Sequence, residues 1–159
     1  MSETVIQVTS LGKRIKGKTI LEDISFEINQ GDCVALIGPN GAGKTVLMSC
    51  ILGDKKPSSG QVLIDGKAGK AKNKIAVLLQ ENTIPNSLKV EELIAFFQSI
   101  SDNPLTNQEV QELLQFKEDQ YQQFADKLSG GQRRLLAFVL CLIDKPKILF
   151  LDEPTAGMD

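Results

Sequence analysis

The chain has 159 residues, of which 42% are apolar and 24% charged, and this composition is typical of one soluble globular domain. Its net charge of −2 gives no basic surface for nucleic acid, and the absence of histidine excludes a His-based metal site or a Ser-His triad. No signal peptide is indicated, and the longest apolar run, Leu135 to Ile143, is about half of the ~20 residues that a membrane helix needs. We therefore expect a soluble cytoplasmic protein whose three scattered cysteines are small buried apolar residues.

The first half of the chain is predicted to be rich in β-structure. Short apolar or alternating runs predict strands at Val5–Val8, Ile24–Ile28, Cys33–Ile37, Gln61–Ile64 and Ile75–Leu79. The run Cys33–Ile37 is nearly continuous, which is typical of a strand buried on both faces of a parallel sheet. Asp65-Gly66 is a turn signal at the end of the fourth strand.

The second half is predicted to be mainly helical. Apolar residues at helical spacing predict three helices, carrying Val90, Leu93, Ile94 and Phe97, then Val110, Leu113 and Leu114, then Leu135, Leu136, Val139 and Leu142. Thr106 and Glu109 form a capping box before the second helix, and Ser129 is predicted to begin the third. A last strand is predicted at Ile148–Leu151. Buried strands with intervening helices favour an α/β fold around a parallel sheet.

A glycine-rich stretch between strand Cys33–Ile37 and a predicted helix has the pattern of a phosphate-binding loop. Its residues are Gly38, Pro39, Asn40, Gly41, Ala42, Gly43, Lys44, Thr45 and Val46, and the first eight match G-x-x-x-x-G-K-[ST]. Glycines allow successive N–H groups to point into one concavity, and the start of a helix adds positive charge. Lys44 is predicted to contact the terminal phosphates and Thr45 to bind Mg²⁺. The following helix is predicted to bury Leu47, Cys50 and Ile51 and to end at Gly53.

Two adjacent carboxylates follow the last predicted strand. Ligands of open α/β sheets bind at the carboxyl ends of the strands, so Asp152 is placed to hold Mg²⁺. Neighbouring strand residues point in opposite directions, and Glu153 can therefore act separately, as a base that polarises the attacking water.

The stretch Leu128-Ser129-Gly130-Gly131-Gln132 provides a second helix start suited to an anion, because a hydroxyl and free N–H groups converge there. Lying between the phosphate loop and the strand "ILFLDE", it resembles the signature of ABC-type ATPases, and the resemblance covers essentially the whole chain. It implies a P-loop NTPase core with an N-terminal antiparallel β region and an inserted helical subdomain at about residues 82–144, all within one ATP-binding domain, residues 1–159.

The resemblance also implies a mechanism and partners. ATP and Mg²⁺ would be the cofactors, with Glu153 as the catalytic glutamate, Gln80 in the glutamine loop that senses Mg²⁺ and water, and Asp159 in the D-loop. Ser129, Gly130, Gly131 and Gln132 would contact the nucleotide of a second ABC ATPase domain in a head-to-tail dimer. A separate transmembrane permease would bind the helical region and hold the protein on the inner face of the membrane. No nucleic acid partner is expected, and the subunit most resembles those of bacterial exporters.

Three departures from the family pattern bear on these expectations. Ile15 stands where an aromatic residue usually stacks on adenine, and Val46 stands where a second threonine is common. The family's switch histidine follows the D-loop, and this chain has none. We therefore expect a domain truncated after the D-loop, which binds MgATP and turns it over poorly. The alternatives are a soluble ABC ATPase that acts on ribosomes or DNA, and an inactive nucleotide-binding fragment.

Overall fold

The computed structural model describes residues 3–68, 75–79 and 84–152. These residues form two compact units, one within Met1–Lys72 and the other within Asn73–Asp159. Among them, no helix has both the length and the hydropathy that crossing a bilayer requires.

The first unit is built on an antiparallel sheet of four strands in the order β2-β1-β3-β4. The strands are β1 (Thr4–Ile15), β2 (Lys18–Asn29), β3 (Ser59–Ile64) and β4 (Lys67–Ala68). Two-residue turns with positive φ join β1 to β2 at Lys16-Gly17 and β3 to β4 at the predicted Asp65-Gly66. Such turns match the right-handed twist of paired strands, so the hairpin signal in the sequence is confirmed.

One helix, α1 (Lys44–Ile51), belongs to the first unit. It buries Leu47, Cys50 and Ile51, as the sequence predicted. At its end the N–H of Gly53, with φ of 78°, donates to Cys50 O, and the N–H of Asp54 donates to Ser49 O. These two hydrogen bonds form the motif that commonly terminates helices at a glycine.

The predicted strand Cys33–Ile37 is wrong for the described structure. No strand is formed there, and Val34, Leu36 and Ile37 are 60%, 47% and 90% exposed. An extended segment becomes a strand only when a neighbouring strand accepts its hydrogen bonds. Among the described residues no strand pairs with this one. Cys33 is consequently exposed rather than buried.

The second unit places helices around two parallel strands. Strands β5 (Ile75–Leu78) and β6 (Ile148–Leu151) pair in register from Ile75 with Ile148 to Leu78 with Leu151. The helices are α2 (Val90–Ser99), α3 (Asn107–Leu114), α4 (Glu118–Tyr121) and α5 (Gly130–Leu142), with a short 3-10 helix at Ala125–Lys127 before α5.

One apolar core unites these helices with β5. Its most deeply buried members include Leu78, Val90, Leu93, Leu136 and Val139. The predicted helix faces are confirmed in their centres, whereas Leu135, Leu142 and Phe97 are only partly buried and Leu113 is 42% exposed. Helical spacing alone predicts a face about 100° wide, and only the neighbouring helices decide where burial ends.

Capping boxes begin the helices α3 and α5. Thr106 Oγ1 accepts a hydrogen bond from Glu109 N at 3.2 Å, and Glu109 Oε2 accepts one from Thr106 N at 2.7 Å. Hydrogen bonds that the Glu109 carboxylate accepts from the Thr106 backbone and, to a smaller extent, from the Thr106 side chain lower the pKa of Glu109, and Lys145 adds an ion pair at 3.7 Å. The predicted start of α3 is therefore confirmed.

Candidate functional site

The phosphate loop lies in the first unit and leads directly into α1. Gly41 and Gly43 have φ of 83° and 94°, a region that only glycine enters readily. Gly43 is the N-cap of α1, so the loop ends where the helix leaves its first N–H groups without intrahelical partners. The exposed members of the loop are Pro39, Asn40, Gly41, Ala42 and Thr45, while Gly38, Gly43, Lys44 and Val46 are partly buried. This arrangement presents backbone donors to solvent beside a lysine, as an anion site requires.

Lys44 is held against its own loop. Its ammonium donates hydrogen bonds to Gly38 O at 2.6 Å and to Pro39 O at 3.0 Å. An ammonium group has three donors, so two bonds to carbonyls leave one for a ligand. The Lys44 charge is thus held in place over the loop, and such preorganisation lowers the side-chain entropy that a lysine loses when it pairs with an anion.

The phosphate loop is packed against the sheet of the same unit at Gly43. A Cβ atom at this position would lie 3.0 Å from Leu21 Cδ2 and 3.2 Å from both Ile20 Cγ2 and Ile20 O. No such crowding exists at Gly41, where a Cβ would meet no atom of the described residues within 4 Å. Glycine is therefore required at Gly43 for its backbone conformation and for the close approach of β2.

The signature stretch begins α5 in the second unit. Ser129 Oγ accepts a hydrogen bond from Gln132 N at 3.2 Å, and Gln132 Oε1 accepts one from Ser129 N at 3.0 Å. Ser129 and Gly130 are exposed, and no atom of the described part of the chain lies within 4 Å of a Cβ placed at Gly131. The two polar side chains therefore cap the helix, and the glycines add no side chain at its start.

Asp152 follows β6 at the carboxyl end of the parallel pair. Its N–H donates to Leu78 O at 2.9 Å, which extends the pairing of β5 and β6 by one residue. Gln80 and Glu153, together with the D-loop up to Asp159, lie outside the described residues.

An arginine that sequence reasoning missed also lies at these strand ends. Arg134 donates through Nη1 to Leu79 O at 2.7 Å and through Nη2 to Asp152 O at 3.3 Å. The sequence does contain a signal for Arg134. A cation near the amino end of a helix interacts unfavourably with the helix dipole, so its presence there indicates another interaction.

The residues predicted to form the site are divided between the two units. The phosphate loop belongs to the first, whereas Ser129, Gly130, Gly131, Gln132 and Asp152 belong to the second. The Thr45 hydroxyl in the first unit and the Asp152 carboxylate in the second are each a hard oxygen donor of the kind that Mg²⁺ prefers, with phosphate and water as its usual other ligands. Each group by itself has the chemistry that fits Mg²⁺.

Comparison with known proteins identifies the family of the chain. Residues 21–156 match the family model described as "ABC transporter". The chain is 36% identical to the methionine import ATP-binding protein MetN of Legionella pneumophila (strain Paris), over 98% of the chain and 49% of that protein. It is 35% identical to the spermidine/putrescine import ATP-binding protein PotA of Protochlamydia amoebophila, over 94% of the chain and 42% of that protein. The chain thus spans about half the length of these relatives.

Solved structures give the same result for the fold. The chain superposes on CbiO1 of Clostridium perfringens, part of the ABC transporter complex CbiONQ, with a TM-score of 0.82 and 27% identity, over 99% of the chain and 68% of that structure. It also superposes on an ATP-binding subunit of an ABC transporter with a TM-score of 0.75 and 25% identity, over 96% of the chain and 68% of that structure. Both establish an α/β architecture of the ABC ATPase type, with an N-terminal antiparallel sheet and a helical region.

Proposed function

The chain belongs to the ABC transporter family of ATP-binding proteins, and from this premise we propose that it binds ATP with Mg²⁺ and hydrolyses it to drive a membrane transporter. The observation that supports this most directly is the phosphate loop, in which Gly41 and Gly43 adopt positive φ and two carbonyls hold the Lys44 ammonium in place. Together these features form a site for the phosphates of a nucleotide.

Each predicted residue has a role in this proposal. Lys44 neutralises the terminal phosphates, and the N–H groups at the start of α1 bind phosphate oxygens. Thr45 and Asp152 would each offer an oxygen to Mg²⁺, which would supply charge neutralisation on the phosphates. Gln80 and Glu153 orient and polarise the attacking water. In a head-to-tail dimer, Ser129–Gln132 of one domain would contact the nucleotide held by the phosphate loop of the other. Each complete site would therefore need two domains, and the two-fold dimer would have two such sites.

We further propose that the transporter is an importer. MetN and PotA are import ATP-binding proteins by name, and so is the phosphonates import ATP-binding protein PhnC of Wolinella succinogenes, to which the chain is 33% identical. The sequence alone had favoured an exporter. A separate permease subunit would span the membrane and hold this subunit on its inner face, with residues 82–144 as the helical subdomain nearest to it. The transported substrate would be selected by the permease.

Binding of MgATP by the Lys44→Ala variant tests the phosphate site. A unit charge 4 Å from a phosphate oxygen contributes up to about 4 kcal/mol at the effective dielectric constant of a protein surface. If Lys44→Ala loses about two thirds of this interaction energy, the Kd for MgATP rises about 100-fold. The matched control is Lys55→Ala, an equal charge change at an exposed residue of the same unit. Equal affinities of the two variants would contradict the assignment.

Two further variants separate hydrolysis from pairing. Glu153→Gln is expected to keep the MgATP affinity and to lose at least about 100-fold in turnover, as expected for a general base. Ser129→Arg is expected to leave nucleotide binding by the monomer unchanged and to abolish the ATP-dependent dimer in sedimentation. An equal loss of monomer binding in Ser129→Arg would show that the signature does not act on the nucleotide of a partner.

A further inference from the structure

One guanidinium group joins the carboxyl ends of both strands of the parallel pair. Arg134 Nη1 donates to Leu79 O, directly after β5, and Nη2 donates to Asp152 O, directly after β6. The N–H of Asp152 in turn donates to Leu78 O at 2.9 Å. The last residues of the two strands are therefore tied to each other and to α5.

The chemistry of Arg134 suits this position. A guanidinium is a rigid planar fork, so its two amino groups can reach two fixed acceptors with little loss of entropy per bond. Hydrogen bonds from a charged donor are roughly twice as strong as neutral ones. A lysine in the same place would provide a point charge and no fork.

Helix α5 packs against β5, and this packing fixes the position of Arg134 relative to the strand. Seven residues later on the same face, Cys141 Sγ lies 3.8 Å from Val77 O. Burial raises the pKa of the Cys141 thiol, which is consistent with a packed interface between the helix and the strand. The base of the Arg134 side chain is therefore part of a packed element, five residues after the N-cap Ser129.

We propose that Arg134 is a positioning residue that fixes the two strand ends from which the hydrolytic residues Gln80 and Glu153 continue. Gln80 is the residue after Leu79, and Glu153 is the residue after Asp152. This inference rests on the proposed function, because it assigns Arg134 a role through residues to which that function gives the chemistry. Since α5 begins at the signature, Arg134 also connects the helix start that would contact a partner's nucleotide to the strand ends of its own domain.

The neighbouring arginine provides a matched control. Arg133 Nη2 donates to Asn86 Oδ1 at 3.0 Å, a side-chain acceptor, whereas Arg134 donates to the carbonyls that follow β5 and β6. Arg133→Met and Arg134→Met make the same chemical change one residue apart on the same helix. Arg134→Lys keeps the charge but not the fork.

The test combines amide hydrogen exchange with steady-state ATPase kinetics on the full-length protein. For Arg134→Met we expect exchange of the Asp152 N–H to be at least about 10-fold faster, while that of Val110, in α3, is unchanged. We expect kcat to fall about 10- to 100-fold with KM for ATP within about twofold, because misplacement by about 1 Å of groups near the reacting atoms has such effects. Arg134→Lys should be intermediate, and Arg133→Met should match the wild type in every measurement.

Several results would overturn the proposal. Unchanged exchange at Asp152 in Arg134→Met would mean that Arg134 does not hold the strand ends. Equal acceleration at Val110 would show a general loss of stability, and an equal fall of kcat in Arg133→Met would remove the special role of Arg134. A wild-type protein that does not hydrolyse ATP would contradict the proposed function instead, and the exchange at Asp152 would still decide whether Arg134 holds the strand ends.

Discussion

Replacing Gly43 by alanine tests the structure of the phosphate loop most directly. With φ of 94°, an alanine here would incur a backbone strain of about 1–2 kcal/mol. Its Cβ would also lie 3.0 Å from the buried side chain of Leu21 and 3.2 Å from Ile20 O, and overpacking of this kind costs about 1–3 kcal/mol. Alanine also gives the unfolded chain less conformational entropy than glycine does, which offsets about 0.4–1 kcal/mol of this loss. We expect Gly43→Ala to lower the free energy of unfolding of the first unit by about 2–3 kcal/mol.

Gly41→Ala is the matched control, because Gly41 also has positive φ, but no atom of residues 3–68, 75–79 and 84–152 would lie within 4 Å of its added Cβ. The same terms without overpacking predict a loss of about 1 kcal/mol or less. Urea unfolding, followed by a probe in the first unit, measures both values, and the difference should be about 1–2 kcal/mol. At a typical urea m-value of about 1–3 kcal/mol per M, this difference shifts the midpoint by about 1 M. Equal losses in the two variants would refute the close approach of the loop to β2.

Three further predictions concern the second unit. Leu136→Ala should lower the free energy of unfolding by about 2–5 kcal/mol in urea, because Leu136 is fully buried. Leu113→Ala should lower it by less than about 1 kcal/mol, because Leu113 is 42% exposed, and similar losses in the two variants would contradict the assigned core. Tyr121→Phe should be neutral or stabilising by up to about 1 kcal/mol, because the Tyr121 hydroxyl is buried with no hydrogen-bond partner among the described residues, and burial raises its pKa. A clear loss of stability in thermal unfolding would contradict this. The hydrogen bonds from Thr106 lower the pKa of Glu109 in the folded state, so the ionised Glu109 stabilises the fold above its unfolded pKa of about 4.3, and this stability is lost as the pH falls through the folded pKa. Glu109→Gln should remove this part of the acid dependence, and identical profiles of stability against pH in the two proteins would contradict the prediction.

The agreement between sequence and structure is best where a signal lies within a few residues. The hairpin turn at Asp65-Gly66, the capping box at Thr106, the start of a helix at Ser129 and the end of α1 at Gly53 were all predicted correctly. Each depends on backbone conformation or on a hydrogen bond between near neighbours in the chain, and such interactions do not need the rest of the fold.

The differences arise where a partner distant in sequence decides the outcome. Cys33–Ile37 has the composition of a buried strand, but no described strand pairs with it. Leu113 lies on an apolar helix face, yet the neighbouring helices cover only part of that face. Hydrophobic spacing predicts which residues can be buried, whereas burial itself requires a second surface.

The sequence by itself determined the family, the phosphate loop, the signature and the helix starts, because glycines, caps and the loop lysine act through local geometry. Only the tertiary structure decided that the Lys44 ammonium lies on Gly38 O and Pro39 O and that Arg134 joins the ends of β5 and β6. A long, flexible cation can reach many acceptors, and no pattern in the chain specifies which carbonyl it will meet. For Arg134 that choice depends on the packing of α5 against β5, which brings together residues 55 positions apart in the sequence.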